Sequence, residues 1–184
     1  MAEHVCPFWV GYLLLSPLRK LFNSPSRILG PLVRPGMTVL DAGTAMGFFS
    51  LPLAELVGES GHVVCVDLQE KMIAALRKRA GQAGLENRMD FRVCTKESLS
   101  IDDMEGKVDF ALAVAVVHEV PDPRRFFTEI FRALKTRSNL LFVEPAGHVT
   151  NDDFAGSVAL ARSVGFEVQV TRKIFRNHSA ILTK

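Results

Sequence analysis

The stretch Val39-Leu40-Asp41-Ala42-Gly43-Thr44-Ala45-Met46-Gly47-Phe48-Phe49-Ser50 constrains the fold of this chain more than any other. Apolar residues up to Leu40 read as a buried strand, Asp41 sits at its end, two glycines follow, and Phe48 opens a helix. A glycine-bearing turn between strand and helix lets the backbone come close to a ligand, because a side chain there would clash. The same turn leaves the first amides of the helix pointing at whatever is bound. An acid at the strand tip suits a cationic or amine-bearing ligand and repels a phosphate.

A chain of 184 residues is long enough for one domain with a buried core. A net charge of +2 and the lack of a long basic run give no sign of nucleic-acid binding. The short basic groups, Arg77-Lys78-Arg79 and Arg124-Arg125, fall on helical stretches and read as solvated faces. Cys6, Cys65 and Cys94 form no close pair and no zinc spacing, so no metal is expected. The odd thiol count and the absence of a secretory pattern point to the reducing cytoplasm.

Residues 1–35 read as a separate, aromatic-rich arm carrying the single Trp and the single Tyr, Trp9 and Tyr12. Its apolar run is far shorter than the roughly 20 residues that a membrane span needs, so no stable insertion is expected. Two readings stay open: Phe8, Trp9 and Tyr12 form a lid over a pocket, or residues 8–22 touch a membrane surface with Arg19 and Lys20 at the edge.

Residues 36–184 read as the main domain. Strands are expected at Met37–Ala42, His62–Asp67, Met89–Cys94, Val108–Val114 and Asn139–Glu144. Helices alternate with them: Phe48–Val57, Glu70–Ala83, one opening at Pro123 with Asp122 as its cap, and Asn151–Val164. Phe166–Arg172 and His178–Thr183 alternate in period two and read as a terminal antiparallel pair. This order predicts a doubly wound α/β fold with a seven-stranded sheet, mostly parallel, its last strand antiparallel and helices on both faces. In such a sheet ligands bind beyond the carboxyl ends of the strands. Asp41 and Asp67 both fall there, and a carboxylate at the second position can accept both hydroxyls of a ribose.

The pattern Val39-Leu40-Asp41-Ala42-Gly43-x-x-x-Gly47, Asp67 ending strand two, and Val117-His118-Glu119-Val120-Pro121-Asp122 before a helix resemble the class I S-adenosylmethionine-dependent methyltransferases. More narrowly they resemble the small-molecule branch that includes the quinone and arsenite methyltransferases. The resemblance covers residues 37–184 and implies a Rossmann-like fold, S-adenosylmethionine as cofactor and a small-molecule methyl acceptor. It implies that Asp41 faces the cofactor's amino group, that Gly43 and Gly47 allow its close approach, and that Ala42 and Thr44 share that surface. It further implies that Asp67 holds the ribose hydroxyls, Leu68 flanks the adenine, and Thr95 and Lys96 lie near it. Ala113 would line the transfer site, and Glu144, Pro145 and His148 would border the substrate.

The chain departs from that pattern at two places that bear on the cofactor. Ala45 replaces a glycine, which costs on the order of 1 kcal/mol if the position needs positive φ. Thr95 replaces an acid. The loop Lys135-Thr136-Arg137-Ser138-Asn139 also replaces a glycine turn, a harmless drift. Transfer to a hydroxyl or a protonated amine needs a base, for which His118 is the first candidate, with Glu119 and His148 behind it. Two other functions compete: a non-catalytic S-adenosylmethionine-binding protein, and an NAD(P)-dependent oxidoreductase, whose fingerprint needs a third glycine that this turn lacks.

Overall fold

The computed structural model describes residues 25–171, 174 and 177–184. The aromatic residues of the expected arm, with the 8–22 segment, lie outside the described residues apart from its last part, which holds the short helix α1 (Pro25–Leu29). The described chain then alternates as expected. It runs through β1 (Thr38–Ala42), α2 (Ser50–Val57), β2 (His62–Asp67), α3 (Glu70–Gln82) and β3 (Met89–Val93). It continues with β4 (Val108–Val114), α4 (Pro123–Ala133), β5 (Leu134–Glu144), α5 (Asn151–Val164), β6 (Glu167–Thr171) and β7 (His178–Thr183). The strands form a seven-stranded sheet in the order β3-β2-β1-β4-β5-β7-β6, with β7 antiparallel to β5 and β6. This is the doubly wound topology with a reversed last strand. The chain divides into two compact units, the boundary falling between Cys94 and Thr95 in the sequence.

In the first unit β1, β2 and β3 pair in parallel, with Leu40 opposite Val64 and Cys65 opposite Phe91. Val39, Leu40, Val63, Val64, Cys65 and Val66 are buried, as strands covered on both faces must be. Helix α3 lays Met72, Ile73, Leu76 and Ala80 inward at helical spacing, and α2 buries Leu53, Ala54 and Val57. Pro52 is the third residue of α2, inside the first turn, where no intrahelical donor is lost.

In the second unit β4 and β5 pair in parallel, and β7 is antiparallel to β5. Asp122 caps α4 by accepting a hydrogen bond from the Arg125 amide at 3.0 Å, ahead of Pro123 at the first helical position. Phe127 on α4 meets Phe142 on β5 edge-on at 5.4 Å, and Phe142 stacks on Phe154 of α5 at 4.9 Å. These rings centre the unit's core.

One boundary differs substantially. The segment 135–139, expected as a loop, belongs to β5, which begins at Leu134. Between the pairs Val108–Leu134 and Phe110–Asn139 the partner strand carries extra residues, a bulge with Arg137 at φ 65°. Bulges re-aim a strand without ending it, so exposed polar residues there do not mark a loop.

Candidate functional site

At the carboxyl end of β1 the chain turns through Gly43, Ala45 and Gly47, with φ of 83°, 45° and 83°. Ala45 therefore sits in the left-handed region, and its substitution for glycine carries a cost. Gly47 is fixed by packing: a Cβ there would lie 2.2 Å from Leu76 Cδ1. Its lack of a side chain also serves the contact with α3.

The amides of this turn are engaged within the chain. Gly43 and Thr44 N–H donate to Val66 O at 2.9 and 3.0 Å, Gly47 N–H to Thr44 O at 3.0 Å, and Ala45 N–H to Asp67 Oδ2 at 2.8 Å. At the start of α2, Leu51 N–H donates to Gly47 O, and Pro52 has no N–H to offer. The expectation that amides here point at a ligand is thus corrected for these positions. An amide cradle for a pyrophosphate needs those donors free.

Asp41 is buried, and its Oδ2 accepts the hydroxyls of Ser50 at 2.5 Å and Thr44 at 3.2 Å. The two hydroxyls are also in contact with each other. Burial pushes the Asp41 carboxyl up to about 6, against the two hydroxyl bonds that favour its anion. Asp41, at 3% exposure, faces the turn's own hydroxyls rather than solvent. Asp67, half-buried at the tip of β2, holds the turn in place: Oδ2 accepts from Ala45 N–H and Oδ1 from Gln69 N–H, both at 2.8 Å. Desolvation raises its pKa, opposed by those two amides.

Arg79 was expected on a solvated face. Instead its guanidinium donates to Met46 O, fastening the turn to α3. Partial burial lowers its pKa. The signal was present in the helix period, because Arg79 lies three residues after the buried Leu76 and seven after the buried Met72. Leu68, half-buried, follows Asp67, and Ala42 is fully buried within β1.

The second unit gathers another group. Glu144, the last residue of β5, is 1% exposed. Its Oε1 accepts from the amides of Val117 at 2.8 Å and His118 at 3.3 Å, and its Oε2 lies 2.6 Å from His118 Nδ1. Glu119 Oε1 stands 3.8 Å from His118 Nε2, and the His148 ring lies parallel to that of His118 at 6.2 Å. The hydrogen bond to Glu144 and the two nearby carboxylates raise the His118 pKa, with partial burial opposing. The structure therefore brings the three candidate bases together, around a carboxylate, Glu144, that the family resemblance implies to border the substrate. Thr95 is exposed, and its hydroxyl accepts from the amides of Glu97 and Ser98 at 3.2 and 3.1 Å, holding its own loop. Lys96 is exposed beside it, and Ala113 is fully buried inside β4. Ala42 and Ala113 thus present no side-chain surface. A shallow groove of about 510 Å³ along α3 and β3 includes Ile73, Arg77, Phe91 and Val93 and none of these site residues.

Among solved structures, the chain superposes on an S-adenosylmethionine-dependent methyltransferase from Aquifex aeolicus with a TM-score of 0.84, at 23% identity, over 97% of this chain and 100% of that one. The fold is thus the Rossmann-like methyltransferase fold. A family model described as a methyltransferase domain matches residues 34–176. The chain belongs to that family, the class I S-adenosylmethionine-dependent methyltransferases. It is 34% identical over 101 residues to the arsenite methyltransferase of Halobacterium salinarum, covering 55% of this chain and 25% of that protein. It is 29% identical over 112 residues to the ubiquinone/menaquinone biosynthesis C-methyltransferase of Hydrogenovibrio crunogenus, covering 61% and 43%. The chain thus spans between a quarter and a half of the length of these curated relatives. Family membership, together with the engaged amides of the turn, sets the nicotinamide reading aside. Among the described residues, no helix is long and apolar enough to cross a membrane, and no group of three or more His, Cys, Asp or Glu is placed to hold a metal ion.

Proposed function

We propose that this protein transfers a methyl group from S-adenosylmethionine to a small molecule. Asp67 carries the proposal. Each of its oxygens is held by one backbone amide, which fixes the directions of the lone pairs left over for two vicinal hydroxyls. The residues fit a nucleoside that bears a cation better than one that bears phosphates. Two carboxylates close the ends of β1 and β2, and the turn between β1 and α2 has four of its amides already engaged. In this reading Asp67 and Leu68 hold the nucleoside, and Gly43, Thr44 and Gly47 form the floor. Asp41 acts through the turn, its carboxylate holding Thr44 and Ser50. When bound, S-adenosylmethionine supplies an activated methyl on cationic sulphur, so the chain's task is alignment and exclusion of water.

The acceptor is a small molecule, as the names of the relatives indicate for those proteins. No nucleic-acid partner and a cytoplasmic location belong to the same proposal, and residues 1–35 act as its lid. The test supplies S-adenosylmethionine carrying a deuterated methyl group together with a metabolite extract, and mass spectrometry follows the mass increment. Labelled small molecules that disappear with Asp67→Ala support the reading. Binding of S-adenosylmethionine with no labelled product from any extract favours the non-catalytic alternative, to which the strain at Ala45 lends its one observation.

A further inference from the structure

Strand β3 lies in the first unit and ends the sheet: among the described residues it pairs with β2 alone. The Cys94 amide donates to Asp67 O at 3.0 Å, so the backbone groups of Asp90 and Arg92, on the same side of the chain, also face β2. Those of Phe91 and Val93 face outward, as does the Met89 carbonyl, while the Met89 amide is taken by Glu86 O. A row of outward amides and carbonyls is a template for another strand. The side chains add to it. Val93 is 47% exposed, the one large apolar residue left in solvent among the described residues. It lines, with Phe91, the groove of about 510 Å³ against α3. On the other face of the strand Asp90 and Arg92 hold an ion pair at 2.7 Å.

We propose that the outer edge of β3 is the docking surface for a second copy of this chain, the two β3 strands pairing antiparallel about a two-fold axis at Phe91. Hydrogen bonding and charge agree on this register. Centred there, each Phe91 amide meets the partner's Phe91 carbonyl, and each Val93 amide meets the partner's Met89 carbonyl. Asp90 falls opposite the partner's Arg92, and Arg92 opposite the partner's Asp90. These are the non-hydrogen-bonded positions, where facing side chains stand closest and opposite charges stabilise the pair. A slip of one residue sets Asp90 against the partner's Asp90, or Arg92 against the partner's Arg92, and like charges directly opposite disfavour it. The strand is thus self-complementary in one register, as a two-fold interface requires. Val93 leaves solvent in the process. The groove beside it carries both signs, Glu70 and Glu86 with Arg77 and Lys78, so no field of one sign opposes the approach. Arg77, the base in contact with Phe91 at the axis, rests 4.8 Å from the ring centroid, where the π face favours its charge.

Sedimentation of the full chain over a range of concentrations, with amide hydrogen exchange on the same samples, tests this without cofactor or acceptor. Wild type is expected to form a dimer that dissociates on dilution. Exchange at the Phe91 and Val93 amides is expected to be about tenfold slower or more in the dimer than in the monomer. A monomer at every concentration overturns the proposal, whether those amides exchange freely or are protected by another segment of the same chain. A dimer in which their exchange ignores dilution overturns it too. Charge variants then test the register. Asp90→Arg leaves two bases on the strand and Arg92→Asp two acids, so each alone is expected to self-associate about tenfold more weakly or worse. Mixed in equal amounts, the two variants are expected to pair with each other about as tightly as wild type does with itself. Each base again meets an acid of the other chain, although the ion pair within each chain stays broken. Unchanged self-association of the single variants, or a mixture that associates no better than its components, overturns the proposal. Should a variant fail to fold, exchange in the wild type still decides.

Discussion

Ala45 holds a left-handed backbone at φ 45° between two glycines at φ 83°. A glycine there relieves about 1 kcal/mol of strain and returns most of it as unfolded-state entropy. Ala45→Gly is therefore expected to raise stability in urea denaturation by no more than about 1 kcal/mol. Gly47→Ala meets both the positive φ and the Leu76 side chain, and should lose about 3 kcal/mol. Asp41 gives a pH signature. Its folded value, about 6, lies above the ordinary 3.8, so the folded chain binds this proton more tightly than the unfolded chain. Stability then falls as pH rises between those two values, and the whole penalty, at most about 3 kcal/mol, is present above them. Asp41→Asn removes that slope, so its stability relative to wild type should climb between pH 4 and pH 8 in paired denaturation curves. A difference that stays flat with pH contradicts the burial of a charge there. These residues were visible in the sequence as a motif, but their roles were not. That Asp41 faces Ser50 and Thr44, and that Gly47 yields to Leu76, depends on contacts between distant positions.

Elements were the most legible scale. Periodicity located α3 through Met72, Ile73, Leu76 and Ala80, and the continuous apolar run located β4 as a strand covered on both faces. Chemistry at the ends located the caps. Asp122 closes α4, and Thr150 with Asp153 forms a reciprocal capping box on α5. Each cap satisfies an otherwise orphaned amide, so Asp122→Ala and Thr150→Ala should each cost about 1 kcal/mol in thermal or urea unfolding. Their effects should add, because they cap different helices. The bulge in β5 escaped the reading because Lys135 to Asn139 looks like any polar loop. Leu134 and Asn139 on either side of it pair with β4, and its own backbone bonds to the last residue of the sequence. Arg137 N–H donates to Lys184 O at 2.8 Å, and Lys184 N–H returns to Ser138 O at 3.0 Å. The His118–Glu144 pair escaped for a similar reason, since 26 residues and a helix separate its members and only the ends of two parallel strands bring them together.

At the scale of the molecule, strand order and family membership agree with the class read from the Asp41 motif, and the acceptor is the part that sequence alone leaves open. The chain covers only part of its curated relatives, and their names differ, one an arsenite methyltransferase and the other a ubiquinone/menaquinone biosynthesis C-methyltransferase. Pocket-lining residues, rather than the fold, set that choice. In the proposed function the sulfonium cofactor binds through Asp67 and the turn it holds. Calorimetric titration with S-adenosylmethionine and, in parallel, with NADH, on wild type and Asp67→Ala, tests that most directly. The expected result is micromolar binding of S-adenosylmethionine that is lost in the variant, with no heat from NADH. Binding of NADH, or S-adenosylmethionine binding that Asp67→Ala leaves intact, would contradict it.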